Sequence, residues 1–356
     1  MLNKLNGMNP VRFGSMESQA ILRGNMVLHD AFAAKLLQLA GRNPADSINV
    51  VKTLGNEYTV SPNSMRRMQD LIKVCVKRVG VQHMREMIEQ YRDAIGDREL
   101  KTDGDVAMAA MLNEVISSWE QGKEKIIDDV TQVLSQEANA IVAKTDLSTE
   151  RKKEQVKALL DAKTAILRCL EDVTKTDLTL TALPKGLLAK LNLPSEYLLH
   201  VTDLQLKNAG LQKVPDFVHG MRNLASLSLA GNAELGKVDL SRLPQLQKLD
   251  LALTNVSVAA SQLPPSLSVL DLTFTPDHNV LKDAFILGKR QPESNAKNAG
   301  NILGKLRQMN DGMGAKVLFA DDTLARLVEK ELDSFPSTED IVFKASLKQL
   351  MSGPRI

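Results

Sequence analysis

The residue types that most often carry catalysis are sparse and scattered in this 356-residue chain. None of the five histidines belongs to an HExxH motif or to another spacing that gathers metal ligands. The chain also lacks the GxSxG, GxxxxGK[ST] and GxGxxG patterns of nucleophile elbows and of phosphate or dinucleotide sites. His83 and Glu86 share a helix face, but this spacing is typical of an ordinary surface pair. We therefore expect no catalytic residue, no metal and no cofactor.

The two cysteines are the remaining candidates for nucleophilic chemistry. Cys75 lies between Val74 and Val76, and Cys169 lies in a helix-like segment and is followed by Leu170. A buried cysteine in apolar surroundings is normally inert, because its thiolate is not stabilised there. Two distant cysteines also form neither a disulfide framework nor a zinc site, which indicates a reducing compartment. We predict that both cysteines are structural.

Polar and small residues that alternate with pairs of leucines form a better candidate site. In an extended strand successive side chains point to opposite faces, so these residues lie together on the face opposite the leucines. We predict that they bind a protein partner on one concave surface formed by Asp203, Gln205, Lys207, Ser226, Ser228, Lys248, Asp250, Asp271 and Thr273. The small residues around Ser228 would let another chain approach closely.

Asp250 and Asp271 occupy equivalent places on two neighbouring predicted strands, about 4.8 Å apart. Two carboxylates at that spacing repel each other unless a cation is near. Lys248 lies on the same face and is one possible cation, which would make the surface self-compensated. The alternative is a site for a lysine or arginine of the partner.

The elements that position these residues follow from the spacing of the leucines. The pairs stand at 178/180, 204/206, 227/229, 249/251 and 270/272, so that successive pairs are 26, 23, 22 and 21 residues apart. This spacing is typical of a leucine-rich repeat, and Asn232 stands where that repeat places its asparagine. One unit cannot bury its leucines alone, whereas stacked units share one apolar interior. The sequence therefore predicts an α/β leucine-rich-repeat solenoid of about five repeats with a parallel sheet.

Helical patterns flank the repeats on both sides. We expect a disordered segment at 1–14, an all-α domain at 15–173, the repeats at 174–276 and an α-helical C-terminal region at 277–356. Within the first domain, separate helices are predicted after Asp103 and over residues 124–142. Ser148 is predicted to be the N-cap of a helix that covers the first repeat, since terminal repeats need caps.

Charge and hydropathy exclude two classes of partner. The 45 basic and 43 acidic residues give a net charge of +2, which argues against binding to nucleic acid by bulk charge. No apolar run approaches the length of about 20 residues that spans a bilayer, so we expect no transmembrane segment. Residues 1–16 contain no acid and no continuous apolar core, so they do not form a Sec signal peptide.

Three features resemble the leucine-rich-repeat effectors that bacteria deliver into host cells by type III secretion. They are the segment Leu263–Leu270 (LPPSLSVL), the helical region ahead of the repeats and the acid-free start of the chain. The resemblance implies a secreted virulence protein that binds a host protein in the host cytoplasm. A resident cytoplasmic protein is the alternative location.

Two functions stay open at this point, and the identity of the partner and the oligomeric state are unassigned. The first is a non-enzymatic protein-binding module, which the lack of an active-site pattern favours. The second is an enzyme or a ubiquitin-ligase-type effector whose N-terminal helical domain carries the activity and whose repeats select the substrate. Some related effectors carry a catalytic Cys-x-Asp motif; here the acid after Cys169 stands one position late, at Glu171–Asp172.

Overall fold

The fold is described from a computed structural model that covers residues 31–42, 62–97, 103–257, 262–285, 301–304, 306, 316–318, 324 and 326–327. The segment 1–14, predicted to be disordered, lies outside these residues, as does most of the chain beyond 285. The chain divides into two compact units, residues 1–125 and 126–356. The predicted boundary at 173/174 separates helix from strand, but the compact units divide earlier, because the core of the second unit begins at Ile126.

Helices account for the described part of the first unit. They are α1 (31–39), α2 (Pro62–Val79), α3 (Val81–Gly96) and the first half of α4 (Asp103–Ala143). Gly80 separates α2 from α3 with φ 89°, a backbone angle that glycine adopts without strain. The core of this unit is aliphatic and methionine-rich, and the rings of Phe32 and Tyr91 stack within it at 3.9 Å.

The helix α4 corrects one prediction. Two helices were expected between residues 103 and 142, whereas α4 is a single helix of 41 residues. The helix does not end before residue 124, because a single glycine, Gly122, among good helix formers costs only about 1 kcal/mol. The next helix, α5 (Thr149–Glu171), begins as predicted: the Ser148 side chain accepts a hydrogen bond from the backbone N–H of Arg151.

The second unit contains a parallel sheet of six strands in sequential order. The strands are β1 (Asp177–Thr179), β2 (Asp203–Gln205), β3 (Ser226–Ser228), β4 (Lys248–Asp250), β5 (Val269–Asp271) and β6 (Lys316–Leu318). The central leucines of β1 to β5 are direct partners across the sheet and at most 1% exposed: Leu178, Leu204, Leu227, Leu249 and Leu270. Helices and one parallel sheet make this an α/β protein.

Strand β6 was not predicted, since residues 277–356 were expected to form an α-helical region. Its central residue, Val317, pairs with Leu270 of β5. Without a neighbour, β5 would present an unpaired row of backbone N–H and C=O groups. Strand β6 pairs with those groups of β5, so β6 and not β5 is the outer strand of the sheet in the described residues.

Short elements connect the strands. They are helix α6 (Leu187–Lys190), two turns of 3-10 helix (Ser195–Tyr197 and Asp216–Gly220) and helix α7 (Pro276–Phe285). One apolar core unites them, from Ile126 in α4 through the strand leucines to Leu324. Each fully buried leucine contributes about 1.5–3 kcal/mol, so the inward face of the sheet is the main stabilising feature of this unit. No helix in the described ranges is long and apolar enough to cross a membrane.

Candidate functional site

The face of β1 to β5 opposite the leucines carries the predicted binding residues, and we call it the strand face. Lys207 and Lys248 are exposed there. Half-buried positions are occupied by Asp203, Gln205, Ser226, Asp250, Asp271 and Thr273. Ser228 departs from the prediction, since it is only 3% exposed. A side chain buried to that extent does not contact a partner directly, so Ser228 is removed from the candidate contacts.

Ser228 is buried because a polar cluster forms across three strands. Its hydroxyl donates to Oδ2 of Asp250 on the neighbouring strand at 2.7 Å. Lys207, which follows β2, reaches across β3 to bring its Nζ within 3.7 Å of the same oxygen. The small residues that were expected to admit a partner therefore leave room for an internal ion pair.

The cation beside Asp250 is thus Lys207 and not Lys248, which was the expected one. The strands β2 and β4 are about 9.6 Å apart, since neighbouring strands are separated by about 4.8 Å. The long side chain of Lys207 spans that distance because the side chains between are small. Lys248 is left exposed on the strand face.

The two carboxylates also hold the backbone. Oδ1 of Asp250 accepts the N–H of Ala252 at 3.1 Å, and Oδ1 of Asp271 accepts the N–H of Thr273 at 2.9 Å. Asp203 instead accepts a hydrogen bond from the Gln205 side chain at 2.6 Å. Within the described residues no cation pairs with Asp271, so its charge is not neutralised locally as that of Asp250 is.

The backbone turns in the same way after each of the five strands. Four residues beyond the central leucine, the chain adopts a left-handed conformation, with φ between 51° and 73°, at Ala182, Asn208, Gly231, Leu253 and Phe274. Each of the first four donates its N–H to the next strand's extension, as Leu253 does to the carbonyl of Thr273 at 2.8 Å. Leu253 and Phe274 are large, apolar and exposed by 56% and 48%.

Leu253 and Phe274 were missed by sequence reasoning. The signal was present in the alignment of the leucine pairs, because the same position holds Ala182, Asn208 and Gly231 in the other segments. Glycine and asparagine are the residues that favour a left-handed conformation, so this column indicated the turn. Leucine and phenylalanine do not favour this conformation, so the glycine and asparagine pattern did not point to Leu253 and Phe274.

The residue directly after each left-handed residue is buried. Asn232 is 1% exposed and donates to the carbonyls of Leu206 and Leu229, while its Oδ1 accepts from Ala209 and Leu211. Thr254 and Thr275 take the equivalent place and donate to the carbonyls of the second leucine of their own segments. These side chains satisfy backbone groups that have left the sheet, and they are structural.

Both cysteines have structural surroundings. Cys169 in α5 donates from its thiol to the carbonyl of Asp177 on the edge strand β1 at 3.2 Å, and the adjacent Arg168 pairs with the Asp177 carboxylate at 2.6 Å. The Cys75 thiol donates to the carbonyl of Leu36 at 3.1 Å. Burial raises the pKa of each thiol to about 11, so both remain protonated at neutral pH.

His200 is a titratable group that sequence reasoning left without a role. It lies just before β2 and hydrogen-bonds the backbone of Cys169, and its buried Nε2 has no hydrogen-bond partner. Burial lowers the pKa of His200, an effect that the Cys169 contact and the charge of Asp172 only partly offset. A neutral imidazole at this place packs against the end of α5.

Metal ligands are not gathered in the part of the chain that the structure describes, where no group of three or more His, Cys, Asp or Glu is placed to hold an ion. No protein-family model matches the chain, and no curated protein or solved structure is similar enough to it to count as a relative. The geometry itself defines the class: this is an α/β protein with a parallel sheet that presents a polar face.

Proposed function

We propose that residues 174–276 form a leucine-rich-repeat solenoid of about five units. Three regularities support this proposal. The central leucines pair directly from strand to strand, each strand is followed by a left-handed residue at the same place, and a buried side chain at the next place caps the turn in the last three segments. In this architecture α5 caps the first unit and the elements after 276 cap the last, so that neither end exposes leucines.

We propose further that the protein is a non-enzymatic binding module and that the strand face holds its protein partner. One observation carries this proposal. Parallel sheets are normally covered by helices on both faces, and their strands are then apolar throughout. Here one face of five parallel strands carries carboxylates, lysines and amides that remain half-buried or exposed. A polar face that stays partly exposed in the described residues is suited to recognition by another protein.

The enzymatic alternative places an activity in the N-terminal helices. The two cysteines do not support it, since a nucleophilic cysteine requires a lowered pKa and access to substrate. Cys75 and Cys169 are both fully buried, and both have raised pKa values. The binding module is therefore the function that the described residues support best.

The binding proposal is tested with charge-neutral variants. Asp250→Asn with Asp271→Asn removes both charges and keeps an oxygen that can accept the N–H groups of Ala252 and Thr273. The matched control is Asp161→Asn with Asp216→Asn, which removes two exposed carboxylates from α5 and from the second 3-10 turn. Partners captured by the full chain from host and bacterial lysates are purified and their affinities for each variant measured.

We expect the strand-face variant to bind its partner about tenfold more weakly or worse and the control to bind like the parent, because charges at an interface matter only when they are desolvated there. Equal binding by parent, control and strand-face variant, with all three folded, would exclude the strand face as the binding site.

The resemblance to type III effectors leads to a proposal on location: the protein is exported without cleavage and acts in the host cytoplasm. Residues 1–14, which would carry the signal, lie outside the described residues. Deletion of residues 2–15 is expected to abolish export in a bacterium with a type III apparatus. Export of the shortened chain at the parent's level would favour a resident cytoplasmic protein instead.

A further inference from the structure

Two residues that follow neighbouring strands have backbone conformations that their residue types disfavour. Leu253 and Phe274 have φ angles of 57° and 56°, in the left-handed region where a Cβ approaches the following carbonyl oxygen. Ala182, Asn208 and Gly231 meet the same backbone requirement with small or polar side chains. Both large side chains remain about half exposed. Strained positions of this type are found where function, and not stability, selects the residue.

These two residues lie beside the carboxylates at the same end of the sheet. Leu253 follows Asp250 by three residues and Phe274 follows Asp271 by three, and the two aspartates are direct partners across β4 and β5. The N–H of Leu253 donates to the carbonyl of Thr273, so the pairing continues up to the left-handed residues. Two apolar side chains and two carboxylates therefore stand at the carboxyl ends of adjacent strands.

The two aspartates differ in whether a cation pairs with the carboxylate. Asp250 shares its charge with Lys207 at 3.7 Å, whereas Asp271 has one oxygen on the N–H of Thr273 and pairs with no cation in the described residues. An added cation would find an unneutralised carboxylate at Asp271 and, at the ends of the same two strands, the exposed side chains of Leu253 and Phe274. A ligand that satisfies both needs a large apolar side chain next to a lysine or arginine.

We propose that Leu253, Phe274 and Asp271 form the anchor site of the strand face, and that its occupant is a segment of a partner protein in which a large apolar residue adjoins a lysine or arginine. This inference rests on the proposed binding function and specifies the chemistry of the partner. The apolar pair contacts the partner's apolar side chain, and Asp271 receives its cation.

The probe that tests the anchor site is a displayed library of random dodecapeptides, selected against the full chain. Enriched peptides are synthesised with a fluorescent label, and their affinities are measured by anisotropy at low and high salt. The variants are Leu253→Ser with Phe274→Ser, and Asp271→Asn alone. The matched control is Leu160→Ser, a change of the same chemistry at a leucine of α5 that is 59% exposed.

We expect the enriched sequences to combine an aromatic or aliphatic residue with Lys or Arg. Their affinity should fall about tenfold or more in the double serine variant and severalfold in Asp271→Asn, with the Asp271 effect reduced at high salt because salt screens exposed charges. The Leu160→Ser control should bind like the parent. A second variant, Leu253→Gly with Phe274→Gly, should lose binding equally without a lower melting temperature, since glycine relieves the left-handed strain.

Three results would overturn the anchor site: no enriched sequence, enrichment of acidic or wholly polar sequences, or unchanged affinity in the double serine variant. The last result separates the two proposals. If the enriched peptides lose affinity for Asp250→Asn with Asp271→Asn but not for the double serine variant, the strand face binds partners without this anchor. If neither variant affects them, the strand face itself is excluded.

Discussion

At the scale of single residues, the end of each strand depends on a few side chains that satisfy the backbone. The carboxylates of Asp250 and Asp271 accept N–H groups two residues further on, and Asn232 holds four backbone groups from two adjacent segments. Buried backbone groups are costly when unpaired, so these polar residues have a structural task in addition to any role in binding.

The left-handed position after each strand leads to a pair of opposite predictions. Ala182 is exposed with φ 55°, so Ala182→Gly relieves strain without removing a packed side chain. We expect it to raise the free energy of unfolding by about 0.5–1 kcal/mol, the left-handed cost for alanine less the added chain entropy of glycine. Gly231→Ala should lower it, because the new Cβ would overlap Oδ1 of Asn208.

Urea unfolding followed by circular dichroism measures both changes. The contrast between the two variants is the control, since each exchanges the same two residue types at an equivalent place. A loss of stability in Ala182→Gly would show that the left-handed conformation carries no strain there.

His200 predicts a dependence of stability on pH. Its pKa is lowered in the folded protein, so near pH 6 the unfolded chain binds a proton that the folded protein does not. The free energy of unfolding should therefore fall as the pH decreases through about 6.5 and level off below the pKa of the folded state. His200→Gln removes the titrating group.

Urea midpoints of the parent and of His200→Gln, measured from about pH 8 down to about pH 5, test this dependence. The parent should lose more stability than the variant over that interval. Parallel curves for the two proteins would mean that His200 titrates alike in the folded and unfolded states.

At the scale of elements, the outer repeat strands β1 and β5 are bound by different neighbours. At β1, side chains of α5 bind the edge: the Cys169 thiol and the Arg168 guanidinium both donate to Asp177. At β5, a sixth strand adds its own backbone. Between them the central leucines of β1 to β5, which we call the leucine ladder, provide the burial. The ladder leucines of β2 to β5 are paired with residues of the strands on both sides.

The central strand β3 is the place to test the ladder. Leu227 is 0% exposed and pairs with leucines on both sides, so Leu227→Ala leaves a cavity that the paired strands cannot close. We expect a loss of about 2–5 kcal/mol in the free energy of unfolding. Ser226→Ala, one residue earlier on the opposite face, should stay within about 0.5 kcal/mol of the parent in the same urea titration. Equal effects of the two changes would contradict the strand register.

At the scale of the whole molecule, the two compact units have different architectures. The first is helical in its described residues, and the second contains the sheet and a core that runs from Ile126 onward. The single tryptophan, Trp119, belongs to the first unit, whereas the ladder leucines belong to the second. Trp119 fluorescence therefore reports on the first unit, whereas a mutation of a ladder leucine changes the core of the second unit.

The combination of Trp119 and Leu227→Ala yields a prediction about cooperativity. The variant should lower the urea midpoint of the circular dichroism change that arises from the second unit. The midpoint of Trp119 fluorescence should shift less, because Trp119 lies on the part of α4 that precedes the core of the second unit and stability is not uniform across a structure. An equal shift of both midpoints would show that the whole chain unfolds in one step.

The sequence by itself determined the features that depend on local periodicity. The leucine spacing predicted five parallel strands and their register, Ser148 predicted the start of α5, and Gly80 predicted the end of α2. It also identified most of the strand face, because alternation along a strand assigns each residue to one side. These features depend on residues that are close in the sequence or separated by one repeat. Such regular separations can be read directly from the sequence.

Only the tertiary structure decided which side chains meet across strands. It paired Asp250 with Lys207 in place of Lys248, buried Ser228 beneath that pair and placed β6 beside β5. It also exposed Leu253 and Phe274 at left-handed turns, where their size disfavours the conformation. The physical reason is reach: a long side chain can span two strands when the residues between are small, and that distance is defined by the stacked sheet and not by spacing along the chain.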